Sequence, residues 1–225
     1  TQLIGTGAIN YLWSPADSLN ATNIPFPIAN PDSTIQYFLE GTDANGCVNY
    51  DSVEIVVRNL PTIDAGSDVE ICLNDNTLLT ATGGEDYLWT PSTGLTNATI
   101  ASPTASPSDT TTYIVQGTDI HGCANTDTVV VTVNPLPIAD AGFNTNICEG
   151  ASTQLNATGG DTYLWTPSAF LDNNTLADPI ASPDTSMQFI VEVTDSNGCV
   201  NMDSVYIVVF MIYTIDNELI CIGDS

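Results

Sequence analysis

Short runs of β-branched and aromatic residues alternate with clusters of Gly, Pro, Asn and Asp along the whole chain. Three of the runs, at residues 53–57, 128–133 and 205–209, are dominated by Val and Ile or Val and Thr. Runs of this length and composition, bounded by turn residues, are typical of the strands of a β-sandwich. No apolar spacing of helical period is sustained for a useful length. The pattern therefore predicts an all-β protein.

The same pattern occurs three times. Trp13, Trp89 and Trp165 each follow Tyr-Leu and precede Ser-Pro or Thr-Pro, and they are separated by 76 residues each time. Thr-Asp pairs and Gly-Cys pairs keep the same offset without a gap. Self-similarity over this length indicates successive copies of one structural unit. The chain is therefore predicted to be a linear array of β-sandwiches.

The repeat also predicts the bounds of the domains. We expect three sandwiches, called here the first, second and third repeats, and the opening strand of a fourth. The first repeat is expected to lack its first strand, and the other two are expected to be complete. The predicted bounds are 1–58, 59–134 and 135–210 for the three repeats and 211–225 for the additional strand.

The last residues of the chain, followed by its first residues, reproduce a pattern that also occurs inside the chain. Residues 221–225 followed by residues 1–3 give the pattern that residues 148–155 show inside the third repeat. The favoured interpretation is one super-repeat of a longer covalent array, and the alternative is a subunit whose tail strand completes the next subunit. An open sandwich exposes an apolar face and unpaired backbone groups. We therefore expect the strand near residues 218–222 of a neighbouring copy to complete the first repeat.

Each repeat contains an Asp-x-x-Gly segment directly before a cysteine, at residues 43–46, 119–122 and 195–198. Asn-Gly at two of these sites favours a hairpin turn with positive φ at the glycine. The recurrent tryptophan is predicted to pack in the core of each sandwich, and the alternative is a ring that stacks on a ligand.

Six cysteines at regular spacing indicate an oxidising compartment. Cys72 and Cys123 are 51 residues apart, as are Cys148 and Cys199, so one bridge within each complete repeat is predicted. Such a bridge is worth about 4 kcal/mol in the chain-entropy model. Cys47 is expected to pair with Cys221 of a neighbouring copy. The competing pairing runs across the linkers, joining Cys47 to Cys72 and Cys123 to Cys148.

Charge excludes several classes of partner. The chain has one Lys or Arg, which is Arg58, against 27 Asp and Glu, a net charge of −26. Nucleic acids and anionic membranes bind through basic residues, so neither is an expected partner. No apolar stretch is long enough to span a membrane. The acidity favours solubility and mutual repulsion, and its alternative role is to bind Ca²⁺ through carboxylate oxygens. The candidate calcium ligands are Asp43, Asp64, Asp119, Asp140 and Asp195.

Nothing in the sequence predicts an enzyme. The chain has no lysine, and its single histidine, His121, occupies a turn position that Asn45 and Asn197 hold in the other repeats. No serine or cysteine stands in a pattern typical of an activated nucleophile. Abundant aspartate at turns needs no catalytic explanation.

An unbroken apolar run extends from residue 205 to residue 215, where the other two junctions have proline-bearing linkers. The run is interpreted as a longer strand buried at a domain junction. The alternative is a strip for lateral or partner contacts, since exposed apolar patches mark interfaces.

One ordered set of motifs carries a family resemblance. Asp-Ala-Gly, Ile-Cys, Ala-Thr-Gly-Gly, Tyr-Leu-Trp-Thr-Pro, Ala-Ser-Pro, Thr-Asp-x-x-Gly-Cys and Asp-(Ser/Thr)-Val follow one another in the repeats. This order resembles the PKD-like and immunoglobulin-like repeats of very large surface proteins in Bacteroidetes-type bacteria. Those proteins are exported by the type IX system and include gliding-motility adhesins. The resemblance implies tandem immunoglobulin/PKD-like β-sandwiches.

The resemblance further implies a structural segment of an extracellular filament, stalk or adhesin at the cell surface, with adjacent copies of itself as end-to-end partners. The alternative function is a glycan- or surface-binding adhesive module, with lateral self-association or surface glycans as partners. The family also carries O-linked sugar on triplets of Asp, then Ser or Thr, then an apolar residue or Thr. The candidate glycosylation sites are Ser18, Ser33, Ser52, Thr110, Thr128 and Ser204.

Overall fold

The structure, a computed structural model, describes residues 1–210. Within this range every regular element is a β-strand, which confirms the predicted all-β fold. The strands are β1 (Asn10–Ser14), β2 (Ile35–Thr42), β3 (Val48–Ile55), β4 (Val69–Cys72), β5 (Thr77–Leu78), β6 (Asp86–Thr90), β7 (Thr104–Ala105), β8 (Thr111–Thr118), β9 (Ala124–Asn134), β10 (Thr145–Cys148), β11 (Thr153–Gln154), β12 (Thr162–Thr166), β13 (Ile180–Ala181), β14 (Met187–Thr194) and β15 (Val200–Phe210).

The sheets follow the sequence repeat. The third repeat has a four-stranded sheet in the order β10-β15-β14-β12 and a small sheet of β11 and β13. The second repeat has the same two sheets, β4-β9-β8-β6 and β5-β7, while the first has one sheet in the order β1-β2-β3. In both four-stranded sheets the opening strand runs parallel to the last strand. The chain is thus a tandem array of immunoglobulin-like β-sandwich repeats.

The core of the third repeat comes from strict alternation. Phe189, Val191 and Val193 of β14 and Ile207 of β15 are fully buried, because successive side chains of a strand point to opposite faces. Tyr206 is exposed and Val205 buried, so the apolar run forms a strand with one buried face as far as Phe210. Residues 211–215 of that run lie outside the described residues.

The recurrent tryptophan is a core residue in each repeat. Trp13, Trp89 and Trp165 are all buried. Their indole N–H groups donate hydrogen bonds of 3.0, 3.0 and 3.1 Å to the backbone carbonyls of residues eleven positions later, Ile24, Ile100 and Leu176. A buried indole N–H usually finds a hydrogen-bond partner, and the burial of all three rings confirms the prediction of core packing.

The predicted hairpin turns are also confirmed. Gly46, Gly122 and Gly198 have φ angles of 83°, 83° and 80°. At each turn the glycine N–H donates to the backbone carbonyl of the aspartate three residues earlier, at 3.1, 3.0 and 3.1 Å. Glycine has no Cβ to oppose this left-handed conformation.

The chain divides into two compact units. One comprises residues 1–64, 81–87 and 116–127, and the other comprises, within the described chain, residues 65–80, 88–115 and 128–210. The domain bounds expected from the repeat remain a prediction.

Candidate functional site

A single disulfide joins Cys72 to Cys199 in the described part of the chain. The two residues are 127 apart in sequence, and their Cα atoms are 5.5 Å apart. The bond links the second repeat to the third, so the predicted bridges from Cys72 to Cys123 and from Cys148 to Cys199 are wrong. The alternative pairing of Cys123 with Cys148 is wrong as well, because both are free thiols.

Strand direction explains the correction. Cys148 is the last residue of β10 and lies beside Phe210, the last residue of β15, whereas Cys199 directly precedes the start of β15. The 11 residues of β15 separate these two ends, a span of roughly 35 Å at the usual rise per residue. A disulfide requires Cα atoms within about 7 Å. The parallel opening strand therefore places its cysteine at the far end of its own repeat.

That far end is where the next repeat begins. Cys72, the last residue of β4, pairs with Asn134 at the end of β9, directly before the linker to the third repeat. On the other side of the linker, the Asn201 side chain donates a hydrogen bond of 2.9 Å to the carbonyl of Pro137. This contact holds the turn that carries Cys199 against the linker. Cys72 and Cys199 are thus two sides of one repeat junction.

Three described cysteines remain as thiols. Cys47 and Cys148 are exposed, and Cys123 is half-buried. Cys47 and Cys123 hold the turn position of Cys199, and Cys148 holds the strand-end position of Cys72. The predicted partner of Cys47, Cys221, lies outside the described residues.

The turn aspartates have a structural role. The Asp43 carboxylate accepts the backbone N–H groups of Cys47 and Asn45, at 2.9 and 2.8 Å, which holds its pKa below the ordinary value. Asp119 accepts the same two bonds in the second repeat, where the bond from Cys123 is the main cause of a lowered pKa. Asp195 makes the equivalent bonds in the third repeat. These carboxylates shape the hairpins that precede the last strands.

The structure does not gather the candidate calcium ligands into one site. Among residues 1–210 no group of three or more His, Cys, Asp or Glu side chains is placed to hold a metal ion. Asp140 accepts the N–H of Gly142 at 2.8 Å. The backbone of Asp64 forms a bridge to Thr82. Each candidate therefore lies in a local turn or bridge of its own.

The candidate glycosylation residues differ in accessibility. Ser18, Ser33, Ser52, Thr110 and Thr128 are exposed, and Ser204 is half-buried. The hydroxyl of Ser204 accepts a bond from Gln188 at 2.7 Å, and that of Thr110 accepts the N–H of Val133 at 3.0 Å. Ser18 and Ser33 lie in loops, which leaves their hydroxyls accessible to an enzyme.

The first repeat presents an open sheet edge. β3 pairs with β2 on one side, and no strand of the described chain pairs with its other side. All residues of β3 except Ile55 are exposed. A pocket of about 240 Å³ lies beside it, lined by Leu3, Trp13, Leu39 and Val53 among others. Unpaired backbone groups next to an apolar pocket are a template for an added strand.

In the third repeat the equivalent place is filled. Asp203 accepts the N–H of Ala141 at 2.8 Å, and Tyr206 donates its N–H to the side chain of Asn144 at 2.7 Å. Asp140 forms a two-bond antiparallel bridge with Thr158. In the first repeat the counterpart of Asp203 is Asp51, whose carboxylate accepts the adjacent N–H of Ser52.

Three equivalent glycines, Gly7, Gly83 and Gly159, show how the first repeat differs from the other two. A Cβ on Gly159 would collide with the backbone carbonyl of Ile138, and a Cβ on Gly83 would collide with that of Thr62. At the equivalent Gly7, a Cβ would have no neighbour within 4 Å. The first repeat therefore retains the glycine at which the opening segment of the other repeats makes its closest approach. The sequence repeat does not indicate the glycine contact, which follows from the backbone geometry.

Residues 1–210 contain no helix with the length and apolar character of a membrane span. A persistent disulfide is typical of oxidising environments outside the cytosol, in agreement with an extracellular location.

No family model matches the sequence, and no curated protein matches it. Among solved structures, the insect immune protein hemolin is 12% identical with a TM-score of 0.38, over 93% of this chain and 71% of that chain. The I9–I11 tandem of titin is 10% identical with a TM-score of 0.38, over 94% and 92%. Immunoglobulin domains 1–4 of Sidekick-1 are 14% identical with a TM-score of 0.35, over 93% and 71%. At these values nothing about binding or function carries over from those proteins.

Proposed function

We propose that the chain is a structural repeat segment of an extracellular filament, stalk or adhesin on a bacterial surface. Its sandwiches occupy residues 1–58, 59–134 and 135–210, and copies follow one another end to end. The observation that carries the proposal is the open edge of β3 beside the pocket lined by Leu3, Trp13 and Val53. A strand from a neighbouring copy completes the first repeat there.

The geometry of the third repeat specifies what the occupant must do. It must approach Gly7 with its backbone, offer an N–H to Asp51, and then run parallel to β3, as the segment from Ile138 to Cys148 does for β15. By the sequence repeat, residues near 215–222 of a neighbouring copy correspond to that segment. Backbone hydrogen bonds supply the affinity of such strand addition, and the apolar pocket supplies its register.

Charge and chemistry support an extracellular array. The net charge of −26 opposes lateral aggregation of neighbouring filaments and supports solubility. The Cys72–Cys199 bond joins the second repeat to the third covalently. The bacterial surface and the gliding-motility class rest on the sequence resemblance, as does glycosylation at exposed residues such as Ser33.

Hydrogen exchange tests strand addition. Peptides that cover β3 are compared between the single 225-residue chain and a two-copy chain, in which residue 225 is followed by residue 1 of the second copy. In the single chain β3 should exchange rapidly, because one side of it is unpaired. In the two-copy chain half of the β3 population should become protected. β15 is the matched control, since its partners on both sides belong to the same repeat, and it should be protected in both chains.

A substitution separates strand addition from general stabilisation. Val53→Asp in the second copy alone should abolish the new protection of β3, because the carboxylate would be buried beneath the added strand. The same substitution in the first copy alone should leave that protection intact. Equal exchange of β3 in the single and two-copy chains would refute strand addition. Imaging of the intact surface assembly should show threads with an axial repeat of about 110 Å, from three sandwiches with strands of about ten residues plus turns, and globular particles would contradict the filament.

A further inference from the structure

The positions of the cysteines within their repeats are of two kinds. One kind ends the opening strand and lies beside the last residue of its own sheet, as in Cys72 and Cys148. The other kind follows the Asp-x-x-Gly turn and directly precedes the last strand, as in Cys47, Cys123 and Cys199. The bond between Cys72 and Cys199 joins a strand-end cysteine to the turn cysteine of the following repeat. It thereby defines a pairing rule for the junction: the strand-end cysteine of one repeat bonds to the turn cysteine of the repeat that follows.

The local structure around the free cysteines matches that around the bonded pair. The residue after Cys72 donates its N–H to Asn134 at 2.8 Å, and the residue after Cys148 donates to Phe210 at 3.0 Å. On the turn side, the N–H of Cys199 and that of Cys47 each donate to an aspartate carboxylate at 2.9 Å. Both free thiols are exposed. Cys148 therefore has the same local structure as Cys72, and Cys47 has the same local structure as Cys199.

The contact between turn and linker recurs as well. The Asn125 side chain donates to the carbonyl of Pro61 at 3.0 Å, as Asn201 does to Pro137 at 2.9 Å. Turn and linker thus meet in the same way at the start of the second and third repeats. The position of Cys199 relative to the linker that precedes it is a property of the repeat.

We infer that Cys148, in place of the Cys221 expected from the sequence, forms a disulfide with Cys47 of the next copy of this chain, so that covalent staples continue from one copy to the next. The inference rests on the proposed end-to-end arrangement and adds its chemistry. Both thiols lose their protons and together give two electrons to a disulfide oxidant, which is reduced to two thiols as the Sγ–Sγ bond forms. By the same rule Cys123 pairs with the cysteine of the strand that completes its preceding repeat. Cys221 holds that position in the sequence and lies outside the described residues.

The test uses the two-copy chain, folded with oxidised glutathione and then treated with an alkylating reagent under denaturing, non-reducing conditions. Pepsin is the protease for mapping, because one Arg and no Lys in each copy leave trypsin only one cleavage site per copy. Mass spectrometry should find a disulfide peptide joining Cys148 to Cys47 besides the one joining Cys72 to Cys199. The single chain, oxidised in dilute solution, should keep Cys47 and Cys148 as alkylated thiols.

One substitution placed in either copy provides a matched pair. Cys47→Ser in the second copy should release Cys148 of the first copy and give one more alkylated thiol than the unsubstituted chain. Cys47→Ser in the first copy should give one fewer, because that cysteine has no preceding copy. Alkylated Cys148 in both copies of the unsubstituted chain would overturn the inference, as would a bond from Cys148 to Cys123 or Cys199. Protection of β3 against hydrogen exchange reports strand addition independently, so loss of the staple with β3 still protected would leave the proposed function standing.

Discussion

The first and third repeats share a sequence pattern and differ in how completely their last strands are covered. Val205 of β15 is 1% exposed, while its counterpart Val53 of β3 is 39% exposed. The buried core of the third repeat extends over β12, β14 and β15 and the opening segment at Ala141. The buried core of the first contains Leu3, Trp13, Ala29 and Tyr37.

This comparison shows what the opening segment contributes to the third repeat. In the third repeat this segment covers one face of the last strand, accepts and donates hydrogen bonds along it, and carries a cysteine to the next junction. The first repeat keeps the tryptophan, the hairpin and the glycine without that segment. Its last strand, β3, pairs with β2 alone among the described strands.

Removal of the central tryptophan should have the largest effect. Trp165→Ala should lower the stability of the third repeat by about 3–5 kcal/mol, the usual result for a fully buried aromatic residue. Trp13→Ala should lower that of the first repeat by less, because its buried cluster is smaller. Hydrogen exchange of each repeat at increasing denaturant measures both values. Equal losses would show that the opening segment adds little to the core.

Alanine substitutions at Gly7 and Gly159 should distinguish the energetic cost of a left-handed backbone from the cost of a steric collision. Gly7→Ala should cost about 1–2 kcal/mol, the penalty for a left-handed residue with a Cβ. Gly159→Ala should cost more, since its Cβ also meets the carbonyl of Ile138. In the second copy of a two-copy chain, Gly7→Ala should become as costly as Gly159→Ala. Thermal unfolding of the three variants and their parent chains measures this, and an unchanged Gly7→Ala penalty would contradict a strand docked at that glycine.

Truncation of Val205 and of its counterpart Val53 should show how differently the last strands of the third and first repeats are covered. Val205→Ala should cost about 1.5–3 kcal/mol, because the side chain is fully buried. Val53→Ala in the single chain should remain within about 0.5 kcal/mol of the parent, as for other surface changes. Denaturant unfolding resolved by repeat checks both values. A large loss at Val53 in the single chain would mean that β3 is already covered.

Alkaline pH should weaken the first repeat more than the third. Burial raises the pKa of Tyr37, and the nearby Asp17 raises it further, while the third repeat has Phe189 at the same position. A raised pKa in the folded state means that the stabilisation is fully present below about pH 10 and is lost as pH rises through the folded pKa. Tyr37→Phe should remove this pH dependence at a cost of about 0.5–1.5 kcal/mol, for the lost hydrogen bond to the Asp17 carbonyl. Thermal unfolding of the parent and the variant from pH 8 to pH 11 measures it, with the third repeat as internal control.

Much of the fold could be predicted because it depends on neighbours in sequence. The Asp-x-x-Gly segments specify hairpins through their own hydrogen bonds, and alternation along β14 specifies which side chains are buried. The predicted last strands were too short, since pairing with the preceding strand continues up to the turn, as from Thr194 to Val200. The predicted cysteine pairing was wrong because it depends on residues that are far apart in the sequence. Equal spacing of Cys72 and Cys123 says nothing about which end of a sheet each cysteine reaches.

The repeat, its register, the turns and the buried tryptophan of each repeat followed from the sequence alone, because each depends on residues close together in one strand or turn. The tertiary structure alone decided that the opening strand runs parallel to the last strand, which carries Cys72 to the end of its repeat nearest the linker. It alone decided that Cys199, held beside that linker by the turn and Asn201, is the thiol within reach. Strand direction and linker contacts are set by packing between distant segments, and spacing along the chain does not encode them.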